Sequence, residues 1–267
     1  MAKPRNANEG WEHYLMGGDP LPKWQRRMFR ALPHDPRCKL CSVPFEGIGG
    51  RWMRMAGYGR SRKNPRFCNI CEMHLQKSRG GSEVPLSFLF ADVRGSTALA
   101  ERMSAAEFST LLNRFYAVAN RVLIESDAWV DKLVGDEVVA FFPPYVANHP
   151  RQALLTGLEL LQVTGHRDPG GPWIRVGVGV HTGRAFFGAV GTAETITDVT
   201  ALGDNVNIAA RLAQLAGPGE LLISEAAYVA AGVELKDAEP RTLDLKGRSE
   251  PIVARLVRVT PAFVAAP

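Results

Sequence analysis

The run Asp131-Lys132-Leu133-Val134-Gly135-Asp136-Glu137-Val138-Val139-Ala140-Phe141-Phe142 decides how this chain is read. A glycine set among β-forming and charged residues predicts the tight turn of a hairpin, with residues 129–134 going up and 138–142 coming back. That turn holds the Asp136 carboxylate at its tip and Lys132 four residues behind it. A hairpin so furnished is expected to handle a charged ligand.

Outward from the hairpin, composition sets the frame. With 267 residues, 46% hydrophobic content and 22% charge, the chain is an ordinary globular sequence and not a disordered one. No apolar run approaches the roughly 18 to 20 residues that span a bilayer, and residues 1–14 lack the core of a signal peptide. The expectation is a soluble cytoplasmic protein with no membrane partner. The net charge of +5 conceals an asymmetry: residues 1–80 hold 16 Lys/Arg against 6 Asp/Glu, and residues 81–267 hold 16 against 21. Opposite charge character predicts two functional units, 1–80 and 81–267.

In the basic unit, Leu21, Trp24, Met28 and Leu32 recur at helical spacing before Pro33 and Pro36. This predicts a short helix that either packs its apolar stripe on the body of the protein or transmits a signal. Cys38-Lys39-Leu40-Cys41 and Cys68-Asn69-Ile70-Cys71 are two C-x-x-C pairs separated by 26 residues. Two such pairs put four thiolates within reach of one tetrahedral ion, and in a cytosolic protein they favour a metal over disulfides. Structural zinc or an iron–sulfur cluster both suit four cysteines. The intervening loop mixes Arg51, Arg54, Arg60, Arg62, Lys63 and Arg66 with Trp52 and Tyr58. It reads either as a solvated basic face or as a surface for nucleic acid or phosphate. Residues 76–83 are polar and glycine-containing, and are expected to be the linker.

From Val84 the pattern changes. Residues 85–91 read as a buried strand that delivers Asp92 into the turn Val93-Arg94-Gly95-Ser96-Thr97, with a helix following through 103. An aspartate at a strand end beside free helix N–H groups brings a metal ligand next to a polyphosphate site. A long helix is expected over 105–124, then the hairpin, then a helix over 151–163. Residues 174–181 and 185–190 read as a second hairpin turning at Thr182-Gly183. Strand, helix, strand, strand, helix, strand is the ferredoxin-like order, in which the first strand lies beside the returning strand of the central hairpin. Asp92 and Asp136 therefore converge. His181 is expected to hold a strand-to-turn transition by a hydrogen bond. After Val199-Thr200-Ala201-Leu202, Gly203 opens a helix on which Asn207 and Arg211, at i and i+4, share a face that can aim at a phosphate. The remaining residues give strands near 219–224, 241–245 and 251–259, a helix near 225–231, and a basic turn at Leu245-Lys246-Gly247-Arg248.

Residues 90–97, 131–136, 177–183, 203–212 and 245–248, taken together and in order, resemble the catalytic domain of class III adenylate and guanylate cyclases over about 84–259. The resemblance implies an α+β fold: a ferredoxin-like βαββαβ cyclase domain with extra C-terminal strands, preceded by the small Cys-rich segment. It implies that Asp92 and Asp136, with the Val93 carbonyl, hold two Mg²⁺ or Mn²⁺ ions per active site. Arg94, Gly95, Ser96 and Thr97 would line the bound phosphates, Lys246 would hold the terminal ones, Asn207 would orient the ribose and Arg211 would stabilise charge on the α-phosphoryl group. Lys132 and Thr200 match the two positions that choose the base. A lysine donor and a threonine acceptor suit adenine N1 and its amine, so ATP is the implied substrate and cyclic AMP with pyrophosphate the products. Many members carry aspartate at the Thr200 position. In the family the two sets of residues come from different domains, so a chain with one domain and both sets is expected to form a homodimer with two shared sites. The cysteine segment lies outside the resemblance, as a regulatory module or a structural knuckle. A reading from another class makes the cyclase fold silent and the protein a metal- or redox-sensing or nucleic-acid-binding module.

Overall fold

The computed structural model describes residues 7–16, 23–33, 35–62, 64–77, 80–191, 198–245 and 248–262. Four helices come first: α1 (Ala7–Leu15), α2 (Lys23–Ala31), α3 (Gly47–Met55) and α4 (Asn69–Lys77). Strand β1 (Gly80–Val93), helices α5 (Ser96–Arg102) and α6 (Ala105–Glu125), and the hairpin β2 (Trp129–Val134) and β3 (Glu137–Phe142) follow. Next are α7 (His149–Leu161), a π-helical turn Gln162–His166, β4 (Val176–Val190) and β5 (Asp198–Leu202). The chain ends with α8 (Asp204–Leu215), β6 (Glu220–Ser224), α9 (Glu225–Ala231), β7 (Glu239–Leu243) and β8 (Ile252–Arg258). Contacts group these into two compact units, Met1–Val84 with Phe186–Leu202, and Pro85–Ala185 with Gly203–Pro267. No described helix is long and apolar enough to cross a membrane.

The larger unit is built on a sheet of order β2-β3-β1-β4-β6-β8-β7. Its first four strands with α6 and α7 give the ferredoxin-like arrangement expected from the order of elements, and β6 to β8 extend it. Antiparallel pairing of β1 with β3 sets Asp92 opposite Glu137, while β6 runs parallel to β4. One face of the sheet forms the main core. Val176, Val178 and Val180 of β4 and Val138, Ala140 and Phe142 of β3 pack there against Phe115, Ala119 and Val122 of α6 and Leu154 and Leu158 of α7. Full burial of each valine, leucine or phenylalanine here contributes about 1.5–3 kcal/mol. Helix α6 starts at a capping box, in which Ser104 accepts from the Glu107 amide and the Glu107 carboxylate accepts from the Ser104 amide.

The opposite face seats α8. Between the three valines of β4 lie Gly177 and Gly179, where a Cβ would stand 2.4 Å from the Ala216 carbonyl oxygen and 2.2 Å from the Ala213 nitrogen. The strand's alternation thus divides labour: valines fill one layer, and glycines let a helix backbone approach on the other. Ile208, Leu212 and Ala216 of α8 complete this second layer with Leu222, Ala254 and Leu256.

The second hairpin expected at Thr182-Gly183 does not form, because β4 runs unbroken through both residues. Gly183 is demanded by space instead, since a Cβ there would meet the Asn205 amide at 2.4 Å.

In the smaller unit the linker expected at 76–83 is also replaced, because α4 extends to Lys77 and β1 begins at Gly80. Gly81 permits this early start: a Cβ would stand 2.5 Å from the Phe187 carbonyl and 2.8 Å from the Gly188 Cα. Helix α1 forms where no element is expected from sequence, and it buries Trp11, Tyr14 and Leu15, with Trp11 edge-on to Phe187 at 6.2 Å. The apolar stripe expected of α2 does not pack. Trp24 and Met28 are 68% and 51% exposed, and the neighbouring Phe29 is the buried anchor, edge-on to Tyr58. Leu21 lies outside the described residues. The supposed basic loop contains α3, which carries Arg51 and Arg54. Arg54 donates to the Phe45 carbonyl, and Arg60 pairs with Glu46 at 2.6 Å while lying 5.0 Å from the Phe45 ring centre. These two cations are therefore engaged within the unit. Lys63 lies outside the described residues.

Candidate active site

Strand β1 is buried continuously from Leu86 to Ala91, and its last paired residue, Asp92, meets the tip of the β2–β3 hairpin. Gly135 turns that tip with φ 61°, a left-handed conformation that suits glycine. The amide of Val93 donates to the Asp136 carbonyl at 3.1 Å, which locks the end of β1 to the turn. The Ser96 hydroxyl, in the first turn of α5, donates to the Asp136 carboxylate. The carboxylates of Asp92 and Asp136 are thus brought together, as the order of elements predicts.

Arg94 is held against this pair. Its guanidinium forms an ion pair with the Asp92 carboxylate and donates to the Gln214 carbonyl at 2.9 Å, and its amide donates to the Arg175 carbonyl at 2.8 Å. Burial holds the Asp92 carboxyl above the ordinary carboxylate range; the charge of Arg94 opposes that rise and the charge of Asp136 adds to it. Glu137 is raised by burial first, and then by Asp92 and Asp136. Tyr116 donates to the Gly135 carbonyl, and its hydroxyl is raised by burial and by Asp136. Glu137 and Tyr116 were not singled out from sequence. Glu137 could have been found from its place directly after Asp136, whereas Tyr116 sits mid-helix in α6 with no local signal.

Burial and neighbouring carboxylates disfavour charge on Asp92 and Glu137, which a cation placed there would relieve. The donors are carboxylate and carbonyl oxygens, Asp92, Asp136 and the Val93 carbonyl, and such hard ligands fit Mg²⁺ or Mn²⁺ and not softer ions. Gly95 caps α5 with φ 75°, and Thr97 is exposed in its first turn.

Lys132 and Thr200, the residues expected to read the base, occupy separate strands. Lys132 is exposed on β2, with its Nζ 3.4 Å from the carboxylate of the fully buried Asp131. Thr200 is half-buried on β5, opposite Gly188 of β4. On α8, Asn207 is exposed and Arg211 half-buried, on one helix face. Lys246 lies outside the described residues.

His181 is a hydrogen-bonded structural residue inside β4, not at a strand end. Its Nδ1 lies 2.7 Å from the Ser224 hydroxyl and its Nε2 2.8 Å from Asn205 Oδ1, while the Asn205 amide donates to the Arg184 carbonyl at 2.7 Å. This chain ties β4, β6 and the first turn of α8 together, two residues before Asn207. Burial lowers the His181 pKa, and the Asn205 bond opposes the shift.

The four cysteines also converge. Every pair of Sγ atoms among Cys38, Cys41, Cys68 and Cys71 lies within 4.8 Å, which can hold a metal ion. Burial opposes ionisation of Cys38, but contacts from the other three thiols outweigh it and hold its pKa well below the usual thiol value. Contact with Cys38 pushes Cys41 and Cys71 upward in turn. Cys38 also opposes ionisation of Cys68, but contacts with Cys41 and Cys71 outweigh it and lower Cys68 as well, so two thiols are shifted down and two up.

The sequence profile described as the adenylate and guanylate cyclase catalytic domain matches residues 81–254. The terminal-differentiation-specific adenylate cyclase of Dictyostelium discoideum is 30% identical over 179 residues, covering 62% of this chain and 8% of its own length. An adenylate cyclase of Anabaena cylindrica is 34% identical over 135 residues, covering 48% of this chain and 26% of its own length. The chain therefore spans only a minor part of these curated relatives. Among solved structures, the guanylyl cyclase Cya2 superposes with TM-score 0.60 at 24% identity, over 69% of this chain and 97% of its own. The adenylyl cyclase CyaB from P. aeruginosa superposes with TM-score 0.56 at 25% identity, over 66% and 95%.

Proposed function

The chain belongs to the adenylate and guanylate cyclase catalytic-domain family, and we propose that it converts ATP into 3′,5′-cyclic AMP and pyrophosphate. The observation that carries this reading is the joining of Asp92 and Asp136 by the Val93 amide and the β1–β3 register. Two Mg²⁺ or Mn²⁺ ions, when bound by Asp92, Asp136 and the Val93 carbonyl, supply Lewis-acid activation of the ribose 3′-hydroxyl and neutralise phosphate charge.

The chain's own residues do the rest. Ser96 fixes the Asp136 carboxylate in orientation, and Arg94 holds the Asp92 carboxylate in place. The first turn of α5, with Gly95 and Thr97, presents backbone N–H groups to the phosphates. Asn207 orients the ribose. Arg211 meets the charge that grows on the α-phosphoryl oxygens in the transition state, and Lys246 holds the terminal phosphates.

For the base, Lys132 donates to adenine N1 and Thr200 accepts from its amine. Guanine presents a donor at N1 and an acceptor at C6, so its binding leaves polar groups mismatched. The site is shared in a homodimer: one protomer supplies Asp92 and Asp136, and its partner supplies the base-reading residues, asparagine and arginine. The four-cysteine unit regulates how the two catalytic domains meet. Cys68→Ser in the full chain then changes cyclic AMP output, and unchanged output makes that unit structural only.

The test is the full chain with Mn²⁺ and either ATP or GTP, with products identified by mass spectrometry. Cyclic AMP should exceed cyclic GMP by about tenfold or more, the factor for roughly one mismatched buried hydrogen bond. Asp92→Ala and Asp136→Ala should each abolish turnover. A wild-type chain that makes no cyclic AMP overturns the proposal.

A further inference from the structure

We propose that Cys38, Cys41, Cys68 and Cys71 bind one zinc ion as a closed mononuclear tetrathiolate, and that this ion, not a cluster, fastens the basic unit. The argument begins with sulfur spacing. Around a single ion with Zn–S bonds of about 2.3 Å, the tetrahedral sulfur–sulfur edge is about 3.8 Å. Cys41 and Cys68 Sγ are 3.6 Å apart, and no pair among the four exceeds 4.8 Å. An iron–sulfur cluster places the thiolates on different irons, with bridging sulfides between them. Sulfurs this close leave no volume for that core. A disulfide bond of about 2.05 Å is equally far from the 3.6 Å separation.

The backbone around the sulfurs is built for thiolates. The Cys68 amide donates to Cys38 Sγ at 3.2 Å and the Cys71 amide to Cys68 Sγ at 3.4 Å, so the two sulfurs act as acceptors. In the first pair, the Cys38 amide donates to the Val43 carbonyl and the Ser42 amide to the Cys38 carbonyl, closing a tight knuckle. In the second, Cys68 directly precedes α4, and the Asn69 side chain fastens that helix start to Gly57 and Gly59. Cys38, Cys41 and Cys68 are buried and Cys71 is half-buried, so all four positions of a tetrahedron are protein sulfurs. A site without an open position is structural.

Charge points the same way. Four thiolates around Zn²⁺ carry a net charge of −2, each ligating thiol giving its proton to water. A cavity of about 400 Å³ beside Cys38 is lined by Arg30, Arg37, Lys39 and Arg66, with Asp35 the one carboxylate. Arg37 is itself engaged by Asp35 and by the Phe29, Leu32 and Ser42 carbonyls, and the net positive lining suits an anionic centre beside it.

The test is metal analysis of the full chain carrying Asp92→Ala, so that zinc at the catalytic carboxylates does not contribute, purified anaerobically. One zinc per chain, with neither iron nor acid-labile sulfide, is expected. Cobalt exchanged into the same protein should give the visible ligand-field bands of tetrahedral thiolate coordination, lost in Cys38→Ser. Iron with labile sulfide, iron alone, or a folded chain holding no metal would each overturn the assignment. The metal count does not depend on whether cyclic AMP is made, so failure of this proposal and failure of the cyclase reading are read separately.

Discussion

Replacing Gly179 with alanine should move the helix that carries Asn207 and Arg211 without unmaking the fold. The new Cβ would stand 2.2 Å from the Ala213 nitrogen, 2.5 Å from the Ala209 carbonyl oxygen and 2.8 Å from the Ala213 Cα. All three are backbone atoms of α8, so no side chain can swing aside. Ordinary contact begins near 3.4 Å. Relief therefore needs α8 to lift by roughly 1 Å, and overpacking of this kind costs about 1–3 kcal/mol. For a domain of this size that lowers Tm by about 2–12 °C. A catalytic group displaced by about 1 Å loses on the order of 10²-fold in rate. Val178→Ala is the comparison. Its side chain lies on the same strand but in the other layer, so it should cost about 2 kcal/mol of stability with kcat little changed. Thermal melts by circular dichroism and kcat from cyclic AMP formation read both effects. If the two variants lose activity in proportion to their loss of Tm, the seat of α8 does not set catalytic geometry and the reasoning fails.

Three further outcomes are expected. Mixing inactive Asp92→Ala with inactive Arg211→Ala should restore about a quarter of wild-type activity, because about half of randomly paired dimers are mixed and each mixed dimer has one intact site of two; no recovery after subunit exchange argues against shared sites. Lys132→Glu should erode the preference for ATP over GTP while leaving Mn²⁺ affinity unchanged, and a weakened Mn²⁺ affinity would show that Lys132 does not act on the base alone. Burial lowers the pKa of His149, His166 and His181, so the unfolded chain takes up protons that the native chain refuses. Native stability is then complete above about pH 6.5 and falls on acidification below it, by up to about 1.4 kcal/mol per pH unit for each histidine. Urea midpoints at pH 7.5 and 5.5 should differ less in His181→Gln than in wild type, and equal differences would remove His181 from the account.

What could be read from sequence were the features whose signal is local. Gly135 between two β-forming runs marks its turn whatever the tertiary context, and alternation and helical spacing order the elements well enough to bring Asp92 to Asp136. Gly183 shows where this stops. A glycine after a strand reads as a turn, yet this one is required by the Asn205 amide, which the sequence does not mark as a neighbour. Helix α2 shows the same limit. Periodicity marks Trp24 and Met28 as one face, but which face is covered depends on partners, and Phe29 is the residue that found one. In the site, the carboxylates were legible as ligand types. The Arg94–Asp92 pair was not, because two residues separated by one position at a strand end carry no signal of which way each side chain points.

The hairpin contains a subtler signal. Its register pairs Val130 with Ala140 and then Lys132 with Val139, so β2 carries one extra residue, Asp131. Ala140 and Val138 face the main core, whereas Val139 lies on the other side. In a regular strand Lys132, two residues after Val130, would share its face and drive an ammonium into the apolar layer beneath α6. The bulge prevents this: Lys132 emerges on the opposite face, and Leu133 returns to pack on the core opposite Val138. The sequence bears the trace, since Val130 and Leu133 are three apart where alternation requires two. The extra residue is a fully buried carboxylate lying 3.4 Å from the Lys132 ammonium. One inserted residue therefore both turns the lysine outward and gives its charge a partner, so the same short hairpin presents Asp136 at its tip and a fixed cation on its flank.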